Sequence, residues 1–262
     1  MFLDHFKMTA HPFCERPERD QLLRDERMEQ GLARLDYLTA QGTLGLLVGP
    51  TGVGKSSLLR LWIDSLSPHQ YHPVYLHLTH VEASALLRLI VTALGEKPRL
   101  GKDRLFLQIL DPAHRRERTP VLIIDEAHLL PADGLIDLRL LVSSGLDAAP
   151  FKIVLSGQDP LRELLDRGSH ADLANRITVR YHLRPLSQDQ TVAYIDFRLR
   201  TAGAPDPLIV AEAKRLIHDY TGGLPRQVNN LATACLLNAA SHDLQQIDED
   251  LVNDTVRECH LT

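Results

Sequence analysis

The sequence predicts an α/β protein in which a parallel sheet flanked by helices is followed by a wholly helical C-terminal part. Three observations predict it. Four apolar runs of strand length, at 44–48, 74–78, 121–124 and 153–155, are separated by helix-length segments with apolar residues at three- and four-residue spacing. The first run leads directly into GPTGVGKS at 49–56, and a helical pattern opens straight after it. Beyond Pro185 only helical patterns follow.

Taken in order, the first run is LGLLV, and its continuous apolar character suits a strand covered on both faces. The second, VYLHL, follows a stretch in which Pro68 and Pro73 forbid one continuous helix. The third, VLII, ends in the acids Asp125 and Glu126; the fourth, IVL, leads into Ser156, Gly157 and Gln158. A fifth strand is expected at 178–183, before Arg184 and Pro185 break it. Helices are expected at 188–202, 208–220, 224–240 and 248–259, punctuated by APDP at 204–207 and GGLP at 222–225. These changes place a boundary near residue 184, giving a nucleotide-binding domain over 1–184 and a helical lid domain over 185–262.

Composition limits the function classes. A chain of 262 residues with 44% hydrophobic content can bury a full core. Its net charge of -5 and pI of about 6.2 argue against a surface wrapped throughout in nucleic acid, although they allow a local basic stripe. Cys14, Cys235 and Cys259 are too few and too scattered for a disulfide framework or a four-cysteine zinc site, so a reducing cytoplasm is the expected compartment. The first residues carry charge and proline where a signal peptide needs an apolar run, and no stretch reaches the length of a membrane span. His69, His72, His77 and His80 crowd one segment, but the prolines and the alternation of a strand split them between faces, so no metal site is expected there.

The segment at 49–56 has the form GxxxxGKS in a strand-loop-helix setting, which is the context a phosphate-binding loop needs. Glycines let backbone N–H groups turn inward, and the helix N-terminus adds partial positive charge. Gly49, Pro50, Thr51, Gly52, Val53, Gly54, Lys55, Ser56 and Ser57 are therefore the expected ATP-binding residues. Lys55 can reach the β- and γ-phosphates, and the Ser56 hydroxyl can join the shell of a Mg²⁺ ion. Asp125, at the end of a buried strand, is the second candidate Mg²⁺ ligand. Glu126 follows as the candidate catalytic carboxylate that polarises the attacking water. The rival reading is that this acidic pair begins a helix, where acids suit the dipole.

Together these motifs resemble the AAA+ ATPases, and the resemblance implies further residues. The stretch KIVLSGQDP at 152–160 is similar to their sensor 1 strand, with Gln158 at the polar sensor position and Ser156 as its rival. DLANRITVRYHLRPLS at 172–187 resembles the segment that presents an arginine finger, which implies Arg176. GGLPRQVNNL at 222–231 is similar to the sensor 2 motif, which implies that Arg226 reaches over the nucleotide. Most arginines make surface ion pairs, and that alternative stands for both.

The N-terminal segment FLDHFKMTAHPFCERP and the stretch LRPLSQDQTVAYIDFRLRTAG resemble the secretion-associated ExeA type of ATPase and the transposon target-selecting ATPases TniB, TnsC and Mu B. This implies that Pro12 and Phe13 close over the adenine, against the alternative that Phe6 and Phe13 pack on the sheet. It also implies an ATP-dependent homo-oligomer, ring or filament. ExeA-type proteins carry a membrane span and a peptidoglycan-binding portion after the ATPase. Their absence before Thr262 favours a regulator of transposition that binds non-specific duplex DNA and recruits a transposase. The alternatives are a secretion assembly motor that does not touch DNA, and an ATP switch with little turnover, which an intact Glu126 opposes.

The segment at 97–118 supplies a candidate DNA surface of its own. Lys97, Arg99, Lys102, Arg104, Arg115, Arg116 and Arg118 stand against Asp103, Asp111 and Glu117, a balance of +4 in an acidic protein. A solvated helix face is the alternative, and the family geometry makes 79–82 an equal candidate for a pore loop. Without aromatic interleaving or zinc-finger spacing, base-specific readout is not expected.

Overall fold

The computed structural model describes residues 2–15, 17–79, 83–115, 118–144 and 151–258. In chain order its elements are α1 (Phe2–His5), α2 (Glu26–Gln41), β1 (Leu44–Val48), α3 (Lys55–Ser65), β2 (Tyr71–His77), α4 (Ala83–Ala93), α5 (Lys102–Arg115) and β3 (Thr119–Asp125). There follow α6 (Ala132–Val142), β4 (Lys152–Gly157), α7 (Asp159–Leu165), α8 (Ala171–Asn175), β5 (Ile177–His182), α9 (Gln188–Thr201), α10 (Ala211–Thr221), α11 (Pro225–Ser241) and α12 (Glu249–Glu258). Arg116, Glu117, His80, Cys259 and most of the expected 79–82 loop lie outside the described residues.

All five expected strands pair in one parallel sheet of order β2-β3-β4-β1-β5. Residues 121–125 of β3, 153–157 of β4 and the whole of β1 are buried, because a parallel sheet carries its crossover helices on both faces. The two edge strands are more exposed, and Pro73 is tolerated because β2 is an edge. Leu44, Leu46, Leu122, Ile124, Ile153 and Leu155 from the sheet share one core with Leu86, Ile90, Ile109, Leu135 and Leu138 from α4 to α6. Burying a single such side chain contributes roughly 1.5–3 kcal/mol, so this cluster is what holds the strand ends in register.

Two compact units are formed: one contains 27–51 and 55–183, the other 1–26, 52–54 and 184–262. The second unit thus begins at Arg184 on the C-terminal side, but it also takes in the N-terminal segment expected to accompany the sheet. The reason is apolar. Phe2, Phe6, Met8 and Phe13 are buried in one cluster with Leu186, just before α9, and with Ile195, Leu199, Ile217 and Leu236 of the C-terminal helices. Phe13 therefore packs in a helical core, not on the sheet. The buried guanidinium of Arg198 adds a polar clasp, donating to the carbonyls of Pro12 (2.6 Å) and Cys14 (3.3 Å).

Within this unit α9 starts at a capping box in which Ser187 accepts from the Gln190 N–H. Gly223, at φ +69°, follows α10; a Cβ there would lie 2.0 Å from the Leu186 carbonyl oxygen. The helix expected from 208 starts at Ala211 instead. Ile209 forms an isolated parallel bridge with Ile247, whose N–H donates to Leu208 O (2.9 Å) and whose carbonyl accepts from Val210 N–H (3.0 Å). A tertiary pairing thus overrides an apolar pattern that also fits a helix.

Candidate functional site

In an open parallel sheet the ligand crevice lies beyond the C-terminal ends of the strands, and three strands supply it here. β1 ends into 49–54, β3 ends at Asp125, and β4 ends at Gly157 before Gln158. Since β4 lies between β1 and β3, the residues after it stand between the phosphate loop and the acidic pair. Gly52 and Gly54 have φ of +79° and +109°, a conformation that side chains with a Cβ adopt only at a cost, so these positions favour glycine.

Lys55 opens α3 and is buried, its ammonium donating to the carbonyls of Gly49 (2.8 Å) and Pro50 (3.1 Å). The charge is therefore held inside the loop that phosphate would enter. Asp125 is buried and accepts from four groups: Ser156 Oγ (2.7 Å), its neighbour Glu126 N–H (3.0 Å), Ser56 Oγ (3.3 Å) and Tyr75 Oη (2.5 Å). Burial, followed by the hydrogen bond to this carboxylate, pushes the Tyr75 hydroxyl well above its ordinary pKa, so it stays a donor. Ser56 and Asp125 present hard oxygens in contact with each other, a donor set that fits Mg²⁺ bound with retained waters and phosphate oxygens.

Glu126 is half-buried and left-handed, at φ +57°. A non-glycine residue there stores strain of about 1–3 kcal/mol, which turns the chain sharply out of the strand and separates the roles of two adjacent acids. It does not start a long helix; a single 3-10 turn at Ala127–Leu129 follows. His128 in that turn faces both candidates, with Nδ1 3.3 Å from Glu126 Oε2 and Nε2 3.1 Å from Gln158 Nε2. Ser156, the rival sensor, is fully buried and bound to Asp125, whereas Gln158 is partly exposed.

The remaining expected residues lie elsewhere. Arg176 is exposed at the end of α8 and directly precedes β5, whose first residue pairs with Leu44 at the start of β1. In a parallel sheet this is the end opposite the phosphate loop, about 15–20 Å away at 3.3 Å per residue. It lines a groove of about 430 Å³ with Arg139, Leu140, Ser143, Asp172 and Asn175. Arg226, in the other unit, has an exposed side chain, and its N–H donates to Gly52 O (3.2 Å).

Of the expected DNA residues, Lys97, Arg99 and Arg104 are exposed, and Arg115 ends α5. Lys102 is committed to an ion pair with the fully buried Asp137 at 2.5 Å, and Arg118 donates to Pro68 O. Asp137 has no other hydrogen-bond partner among the described residues, so Lys102→Ala should destabilise the fold by about 1–3 kcal/mol in urea unfolding. Unchanged stability would return Lys102 to the candidate DNA surface.

Sequence reasoning missed Tyr75 and His128. Tyr75 reaches Asp125 only because β2 lies next to β3 in register, which no local pattern encodes. His128 was legible as the fourth letter of DEAH, but its two partners depend on how the turn folds back over β4.

Residues 39–165 match the family model of an AAA domain. The chain is 32% identical to general secretion pathway protein A of Aeromonas hydrophila over 260 residues, which cover 94% of this chain and 46% of that protein. The chain thus spans about half the length of this curated relative. Among solved structures it is similar to Cdc6p from Pyrobaculum aerophilum (TM-score 0.74, 20% identity, covering 96% of this chain and 71% of that one). It is also similar to the Aeropyrum pernix ORC1 protein in complex with DNA (0.72, 17%, 97% and 70%). A further likeness is to the Thermotoga maritima RuvB Holliday junction branch migration motor (0.61, 21%, 94% and 73%). At these identities the three structures establish a shared fold. The phosphate loop and the acidic pair both lie within residues 39–165, so the domain match, the relative and the site together support an AAA-type ATPase domain that binds ATP with Mg²⁺ and hydrolyses it.

Proposed function

We propose that this chain is the ATPase part of an oligomeric assembly machine of the secretion-associated type, in which ATP loads an interface between copies and hydrolysis resets it. The observation that carries this reading is the 32% identity to a secretion-pathway protein along nearly the whole chain. In it Lys55 and residues 49–57 hold the phosphates, and Ser56 and Asp125 hold Mg²⁺. Glu126 activates water and Gln158 senses the γ-phosphate, and Arg226 is assigned to the nucleotide by its sensor 2 motif. Mg²⁺ supplies charge neutralisation at the transferring phosphoryl group. Arg176, at the wrong end of its own sheet, serves a neighbouring copy.

The second reading is an ATP-dependent oligomer on duplex DNA that regulates transposition by recruiting a transposase. Exposed Lys97, Arg99 and Arg104 favour it, as does the likeness to folds solved with DNA. Lys102 weakens it by pairing internally. Binding of random duplex DNA with and without ATP at physiological salt decides between the two. The secretion reading expects no ATP-dependent binding; salt-sensitive, ATP-dependent binding would replace it with the DNA regulator.

Both readings share the interface, which yields a further expectation. Arg176→Ala should bind ATP like wild type and lose about 10³-fold or more in turnover, the scale of an arginine finger. Mixing it with Glu126→Gln protein should restore some activity, because certain mixed interfaces join an intact Glu126 to an intact Arg176. Normal turnover by the variant, or turnover independent of protein concentration, would reduce Arg176 to a surface residue.

A further inference from the structure

The short helix α8 carries an acid and an arginine that its own geometry would join. Asp172 stands in its first turn and Arg176 at its C-terminal cap, still in the right-handed helical conformation. The two are therefore i and i+4 on one helix face, with the acid on the N-terminal side, the order in which an exposed helix favours closing its own ion pair. That pair is not formed. Arg139, in the last turn of α6, donates instead from Nη1 to Asp172 Oδ2 at 3.1 Å, and among the described residues no acid pairs with Arg176. All three side chains line the same groove, where two arginines against one aspartate leave one net positive charge. The Arg139 and Asp172 side chains are 36% and 73% exposed, so as a brace between α6 and α8 their contact is worth little.

We propose that Arg139 is a positioning residue for Arg176: by occupying and neutralising Asp172 it keeps that acid from capturing the guanidinium that serves a neighbouring copy. This rests on reading Arg176 as an arginine finger acting on the next copy. Without Arg139 two things change together. Asp172 becomes free to take Arg176 back along α8, and its uncompensated carboxylate faces the phosphate charge that a neighbouring copy would bring to the groove. The finger then has to leave an ion pair before it can act, and the groove falls from one net positive charge to none. An exposed pair shifts such an equilibrium only severalfold, so Arg139 tunes the finger and does not substitute for it. Because β5 begins beside the start of β1, this groove lies at the end of the sheet opposite the phosphate loop, and ATP binding by the same copy is unaffected.

The test is steady-state ATPase of the full chain at saturating ATP over a range of protein concentrations, with ATP affinity and thermal midpoint measured alongside. Arg139→Met, which keeps an unbranched apolar stem and loses the charge, should lower kcat about twofold to fivefold, the equilibrium factor of an exposed ion pair, with ATP Kd and thermal midpoint near wild type. Arg139→Gln takes its place if the methionine variant does not fold. Adding Asp172→Asn should restore most of the loss, since a neutral amide neither captures Arg176 by charge nor repels phosphate. Arg139→Lys, which keeps a cation beside Asp172, should lose less than Arg139→Met. A pair that merely braced α6 against α8 would behave otherwise: Asp172→Asn would break it as surely as Arg139→Met, and the double variant would recover nothing. Absence of recovery in the double variant, or wild-type kcat in Arg139→Met, would overturn the proposal. Arg176→Ala separates the two claims: wild-type turnover there removes the underlying reading, whereas an inactive Arg176→Ala beside a fully active Arg139→Met removes only the positioning role.

Discussion

Lys55→Ala is expected to weaken ATP binding by roughly 30-fold to several thousandfold, measured by titration with a fluorescent ATP analogue. The ammonium is buried and donates to two neutral carbonyls, Gly49 O at 2.8 Å and Pro50 O at 3.1 Å. Phosphate oxygens replace them with charge-assisted bonds in a water-poor loop, where truncating one partner of a close charge pair costs about 2–5 kcal/mol. The alanine variant also frees the carbonyls of Gly49 and Pro50 to relax inward, further spoiling the cradle. Thermal stability without nucleotide should change little in comparison. Nucleotide affinity equal to wild type would show that residues 49–57 are a glycine turn of the βα unit and no more.

Glu126→Gln is expected to keep ATP affinity and lose about 10²- to 10⁴-fold in turnover, the scale of removing a general base. An amide of the same size can fill the position and hydrogen-bond water, but it cannot accept the proton that water must lose. The neighbouring acid does not take over. Asp125 is buried and already accepts four hydrogen bonds, three of them from Tyr75, Ser56 and Ser156, so it has neither the freedom nor the exposure. Accumulation of ATP-loaded oligomers is the second expected sign, visible by light scattering. Turnover at the wild-type rate would leave Glu126 as an acid that merely starts a turn.

How far these residues could be read in advance follows from how local their determinants are. The phosphate loop was legible because strand, glycines, lysine and helix start are contiguous, and the acidic pair because an apolar strand ends on it. The strands were legible because burial on both faces leaves continuous apolar runs; only their ends moved, as at β2, which starts at Tyr71 and not at 74. Long-range choices were not legible. Nothing near Phe2 or Phe13 states that they join a core with Leu199 and Leu236, far along the chain. Nothing near Lys102 names Asp137 as its partner, so a basic run counted by charge alone overstated the free cations. The same holds for Ser156 and Gln158, two polar residues at the end of β4. Ser156 lies inside β4, where it is buried and braces Asp125, whereas Gln158 lies just past the end of the strand, where the chain turns into α7 beside His128.

One measurement tests the ATP site most directly. Wild-type and Glu126→Gln protein are incubated with Mg²⁺ and ATP, passed through a desalting column, and the nucleotide retained by each is identified by chromatography. The geometry of Lys55, Asp125 and Glu126 requires the wild type to retain ADP or nothing and the Glu126→Gln protein to retain ATP, in amounts that fall to background when Lys55→Ala is added. ADP on the Glu126→Gln protein in the wild-type proportion, or ATP retained despite Lys55→Ala, would contradict the assignment.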